Sequence, residues 1–156
     1  MYIRRASIQD IDSIKRLLSQ VLMVHHEARP DLFKANCRKY TDDELKSLIA
    51  DDNKPIFVAV DEKDEVIAYA FCVIIKHTND NILTDISSIY IDDLCVDAKS
   101  RGRHVGQELF EHVKRYAKEI GCYNVTLNVW EGNNDAKAFY EAMGLRPQKY
   151  GMEFIL

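Results

Sequence analysis

Residues 88–129 limit the possible folds more than any other stretch of the chain. A β-branched run at 88–96 leads into the turn Asp97-Ala98-Lys99-Ser100-Arg101-Gly102. Val105, Leu109, Phe110, Val113, Ala117 and Ile120 then recur at helical spacing until Gly121 stops them. A second β-prone run follows at 124–129. The connection is long enough to carry the chain back over a sheet, so these two strands are predicted to be parallel.

The remaining elements surround this crossover. A short β-prone piece at 1–6 precedes Ser7 and a helical stripe of Ile8, Ile11, Ile14, Leu17, Leu18, Val21 and Leu22. Periodicity is lost from Val24 to Tyr40, which reads as an ordered loop with Pro30 blocking continuation. Thr41-Asp42-Asp43-Glu44 has capping-box spacing and predicts a helix to about Ala50. The runs 55–60 and 66–75, joined by Asp61-Glu62-Lys63-Asp64-Glu65, predict a hairpin. A helix over 133–143 capped by Gly144, and a terminal strand around 150–156, complete the order. The expectation is one α/β domain over 1–156 with a mixed central sheet of about six to seven strands and about four helices.

Charge and composition exclude several functions. With 156 residues, 47% hydrophobic and 29% charged, the chain has the makeup of an ordinary globular domain. A net charge of −4 argues against general nucleic-acid binding, which needs a clustered basic excess. Cys37, Cys72, Cys95 and Cys122 lack metal-ligand or redox spacing, so they read as reduced packing residues, and no metal is expected. No apolar run reaches the length of a membrane span, and no secretory segment is seen, so a cytoplasmic location without membrane attachment is expected.

Arg101-Gly102-Arg103-His104-Val105-Gly106 sits where strand gives way to helix. Small residues expose amides there, the helix N-terminus adds positive potential, and two arginines add full charge, a combination that suits pyrophosphate and equally a glycine-containing turn with a solvated basic cluster. Arg101-x-x-His104-x-Gly106 resembles the [Q/R]-x-x-G-x-[G/A] acetyl-coenzyme A motif of the GNAT N-acetyltransferase superfamily. The passage from Leu127 to Leu145, through Asn133-Asn134-Asp135-Ala136-Lys137-Ala138-Phe139-Tyr140, is similar to that family's second signature. His104 departs from the pattern, standing where the family most often has Gly; its amide can still donate.

The resemblance implies a GNAT fold whose splayed strands hold the coenzyme A arm. It places Leu94 and Val96 against pantetheine through their backbones, with a backbone N–H near Cys95 or Val96 polarising the acetyl carbonyl. Arg101, Gly102, Arg103, His104, Val105 and Gly106 bind pyrophosphate in this reading, and Asn133 binds a pantetheine amide. Tyr140 is the implied proton donor to the departing thiolate in direct transfer from acetyl-CoA to a primary amine. Asp92, similar in position to an acidic residue of diamine acetyltransferases, ranks first as base, with Asp93 or water as alternatives. Strand alternation lets only one of the two aspartates reach the acceptor unless a bulge intervenes.

Acceptor specificity is expected from the loops at 24–34 and 77–85, with His25, His26, Glu27, Arg29 and Asp85 as candidates and Asp93 as a further substrate contact. A small amine, a polyamine and a protein amine all remain open as acceptors. So does a non-catalytic coenzyme A sensor. The resemblance also allows a homodimer paired through the terminal strand.

Overall fold

A computed structural model describes all residues 1–156. Its sheet contains β1 (Tyr2–Arg5), β2 (Ile56–Val60), β3 (Val66–Lys76), β4 (Ser87–Val96) and β5 (Asn124–Leu127), side by side in sequence order. The first four strands are antiparallel neighbours, and β4 and β5 are parallel, as the crossover requires. The helices are α1 (Ile11–Ala28), α2 (Asp42–Ala50), α3 (Val105–Glu119) and α4 (Asn134–Ala142). No helix is long and apolar enough to cross a membrane.

Two apolar layers sandwich the sheet. Ile14, Leu17 and Leu18 of α1 and Leu45 of α2 pack with Ile56, Val58, Val60, Tyr69 and Phe71 on one face. Leu109, Phe110 and Val113 of α3 pack with Phe57, Ala59, Ala68, Ala70 and Cys72 on the other. Side chains of β2 alternate strictly between the two layers, which explains why β2 is buried along its whole length. Those of β3 do so from Ala68 onward, after a register shift at Ile67.

Local sequence chemistry accounts for most element ends. Thr41 accepts the Glu44 amide while Glu44 Oε2 accepts the Thr41 amide, closing the expected capping box at α2. Gly121 and Gly144, with φ of 76° and 89°, take the left-handed conformation just beyond α3 and α4.

Two expectations are corrected. The loop expected from Val24 is helical through Ala28, since His25, His26 and Glu27 are helix-compatible and the chain leaves the helix at the residue before Pro30. The terminal strand at 150–156 does not form, so the sheet has five strands, not six or seven, and the edge pairing expected of it has no strand to use. Its apolar residues have β propensity but no ladder partner, and propensity alone does not make a strand. Glu153 is instead tied to Arg29 at the end of α1 (2.5 Å).

Candidate active site

Strand β4 changes character at Asp92. Up to Ile91 it is paired on both sides, with Ile91 opposite Cys72 of β3 and Leu127 of β5. Pairing with β5 ends there, whereas pairing with β3 continues to Val96. The β3 register steps from Cys72–Ile91 to Phe71–Asp93, so Asp92 is an extra residue, a β-bulge. The bulge reverses the facing of everything after it: Ile89 and Ile91 lie in the α3 layer, but Cys95 lies in the α1 layer.

Beyond the bulge, one edge of β4 is open. The Asp97 amide donates to Ile67 C=O (2.8 Å), so by alternation Asp93 and Cys95 turn their main-chain groups toward β3. Leu94 and Val96 turn theirs toward the side that β5 has left. The Val96 carbonyl accepts from Arg101 Nε (3.3 Å), which leaves the Val96 amide and both groups of Leu94 for a ligand. The structure thus separates Leu94 and Val96 from Cys95, whose thiol meets Leu17 C=O (3.5 Å) and is pushed up to about 12 by burial.

A cleft of about 70 Å³ opens where the strands part, lined by Val21 and His25 of α1, residues 91–94, Asn128, Val129, Trp130, Asn133, Ala136 and Tyr140. Helix α4 delivers the last three of these. Asn133 caps it, its Oδ1 accepting the Ala136 amide (3.3 Å), and Tyr140 follows two turns later on the inward stripe. The Tyr140 ring sits edge-on to Phe110 and Phe139 (6.1 and 5.0 Å). Burial, with the Asp93 charge, pushes its hydroxyl well above the ordinary tyrosine value, so it keeps its proton at neutral pH.

The two aspartates meet one lysine. Lys39 Nζ, from the α1–α2 connection, lies 3.1 Å from Asp92 Oδ2 and 3.6 Å from Asp93 Oδ2. Asp93 also accepts from Tyr69 Oη (3.0 Å) and is buried, Asp92 half-exposed. Burial pushes the Asp93 carboxyl up, and Lys39 and Tyr69 oppose that shift. Burial pulls the Lys39 ammonium down, but Asp93 and Asp92 outweigh it and the net shift is upward.

At the other end, α3 begins with free amides. Glu108 N–H to His104 C=O is the first intrahelical bond, leaving the Val105, Gly106 and Gln107 amides unpaired. His104 has φ 60°, the left-handed region that explains why glycine is usual at this position, and its Nδ1 rests 3.2 Å from Gln107 Oε1. Gly106 permits close packing: a Cβ there would stand 3.3 Å from Val96 Cγ2 and 3.4 Å from Phe139 Cζ. Arg101, Gly102 and Arg103 are exposed around this turn. The open strand edge and the free helix amides fit the arm and the pyrophosphate of coenzyme A.

Not every residue singled out in the sequence reaches this place. His25 lines the cleft, but Glu27 is exposed and outside it, and Asp85 stays in its own loop accepting the Asn79 amide (3.2 Å). His26 Nδ1 is engaged with Phe33 C=O (2.7 Å), and Arg29 with Asp31 and Glu153. Lys39, Tyr69 and Trp130 were not foreseen as site residues; Trp130 lines the cleft under Arg29 (6.0 Å from ring centroid). The bulge at Asp92, which brings both aspartates to one cation, carries no sequence signal of its own.

The profile of the Acetyltransferase (GNAT) family matches residues 21–145. The peptidyl-lysine N-acetyltransferase YjaB of Escherichia coli is 28% identical over 120 residues, 77% of this chain and 67% of that protein. A crystal structure of a mutant of the BH1408 protein from Bacillus halodurans superposes with a TM-score of 0.95 at 32% identity, covering 100% of this chain and 99% of the other. The aminoglycoside N-acetyltransferase AAC(6')-Iy in complex with CoA shares the fold, with a TM-score of 0.74 at 15% identity over 99% of this chain and 98% of its own. With both signatures bordering the open half of β4 and the family profile spanning most of the sequence, this chain belongs to the GNAT acetyltransferase family.

Proposed function

We propose that the protein transfers the acetyl group of acetyl-CoA directly to a primary amine. The observation that carries this reading is the open half of β4, whose unpaired Leu94 and Val96 main chain runs between the free amides of α3 and the Tyr140–Asp92–Asp93 cleft. The N-terminal turn of α3, with Arg101 and Arg103, holds pyrophosphate. Leu94 and Val96 bind the pantetheine arm as an added strand would, and the Val96 amide can polarise the thioester carbonyl. The Asn133 amide nitrogen remains available for a pantetheine contact while its oxygen caps α4.

Tyr140 protonates the departing thiolate, a role suited to a hydroxyl that stays neutral. The acceptor arrives as an ammonium and must lose one proton before it attacks. Asp92 is the preferred base because it borders the cleft and is half-exposed, so that a proton can pass on to water. Buried Asp93, hydrogen-bonded to Tyr69, supplies fixed negative charge beside it. Cys95 takes no part: its thiol lies in the α1 layer and is held protonated. The carboxylate pair favours a cationic primary amine of the lysine or polyamine type. A thiol-release assay with acetyl-CoA against lysine peptides, polyamines and aminoglycosides tests the reading. Turnover on a cationic amine supports it, and loss of turnover in Tyr140→Phe with coenzyme A affinity kept excludes a purely sensory role.

A further inference from the structure

Lys39 puts a primary ammonium on an unbranched stem against the two carboxylates of the cleft. It has no other carboxylate partner, and the Tyr40 ring lies beneath it (5.4 Å). Tyr40 in turn stacks on Phe71 (5.8 Å), so the base of the lysine's seat belongs to the core. The head group is less anchored. Lys39 stands in a connection without helix or strand, its side chain is 27% exposed, and Asp92 is 38% exposed. A buried carboxylate such as Asp93 needs a counter-charge, and a second ammonium brought to the same two carboxylates meets the like charge of Lys39.

We propose that Lys39 is a resident competitor for the acceptor subsite: its ammonium fills the place of the acceptor's ammonium, and an acceptor enters by exchanging with it. This rests on the reading of Asp92 and Asp93 as the acceptor end. The exchange swaps one cation for another, so the buried carboxylate is never left bare. Selectivity follows from the same geometry. A primary alkylammonium reproduces what leaves, whereas a neutral or anionic acceptor would strip Asp93 of its counter-ion. Occupancy by Lys39 also lowers apparent acceptor affinity by the fraction of molecules in which the seat is free.

Butylamine, a lysine side chain without its backbone, is the probe. Its binding to the whole protein is measured calorimetrically, and its KM in thiol release from acetyl-CoA is measured alongside. Lys39→Met keeps the stem and removes the charge; it is expected to bind butylammonium about tenfold more tightly, with a matching fall in KM. Lys39→Arg holds both carboxylates through a planar fork and is expected to weaken butylammonium binding several-fold. A folded Lys39→Met protein with unchanged affinity overturns the proposal. Should that variant fail to fold, a Lys39→Arg protein with wild-type affinity overturns it equally. Tighter binding in Lys39→Met without thiol release from any variant upholds the role of Lys39 and overturns the transferase reading. Thiol release with unaltered affinities does the reverse.

Discussion

The two halves of β4 belong to one continuous strand and have different neighbours. Residues 88–91 are hydrogen-bonded to strands on both sides, and Ile89 and Ile91 are buried under α3. Residues 92–96 are bonded on the β3 side alone, carry the bulge at Asp92, and contribute the acidic pair and the open main chain. The first half is built into the core on both sides, and the second is the half to which the proposed function assigns ligand binding. The contrast shows that a neighbour that ends early leaves main chain open, and that a bulge re-aims the side chains beyond it.

The sharpest way to break the comparison is to truncate each half. Ile89→Ala, at a fully buried position, is expected to cost about 2–5 kcal/mol, read from urea unfolding, with coenzyme A affinity retained in the folded fraction. Leu94→Ala, only partly buried, should cost less; equal costs would mean that the open half is core as well. Next in size is Tyr140→Phe, expected to slow transfer about 100-fold while changing coenzyme A affinity and unfolding midpoint little.

A smaller effect appears with pH. Lys39 titrates above its ordinary 10.5 because Asp93 and Asp92 outweigh the effect of burial. The stability it contributes is complete below 10.5 and is lost as pH rises through the folded value. Urea midpoints of the wild type should fall over that alkaline range, and those of Lys39→Met should lack this component. Smallest is His104→Gly, which relieves a left-handed non-glycine residue and should stabilise the protein by about 1 kcal/mol, measured by thermal unfolding.

Most of the scaffold was legible because its signals are local. The Thr41–Glu44 box, the turn at 61–65 and the glycines after α3 and α4 specify their own neighbourhoods. Asn133 and Tyr140 were singled out through the resemblance of 127–145 to the family's second signature, and both line the cleft. What was not legible depends on partners distant in sequence. The bulge arises from how β3 registers against β4, so alternation alone would send Asp92 and Asp93 to opposite faces. Lys39 lies in an aperiodic stretch, and its place is set by contacts distant in sequence: neighbouring Tyr40 stacks on Phe71, and Lys15 ties Asp42 to α1 (2.7 Å). The 150–156 segment failed for a related reason: its residues favour a strand, but no neighbouring edge pairs with it.

Amide hydrogen exchange, resolved by residue with and without acetyl-CoA, tests the central claim most directly. In the free protein the Asp93 and Cys95 amides, bonded toward β3, should already be protected, whereas Leu94 and Val96 should exchange quickly. Binding should slow Leu94 and Val96 and leave Ser88 to Ile91 unchanged. If acetyl-CoA binds and protection appears elsewhere while Leu94 and Val96 still exchange at the free rate, the open half of β4 is not where the cofactor lies.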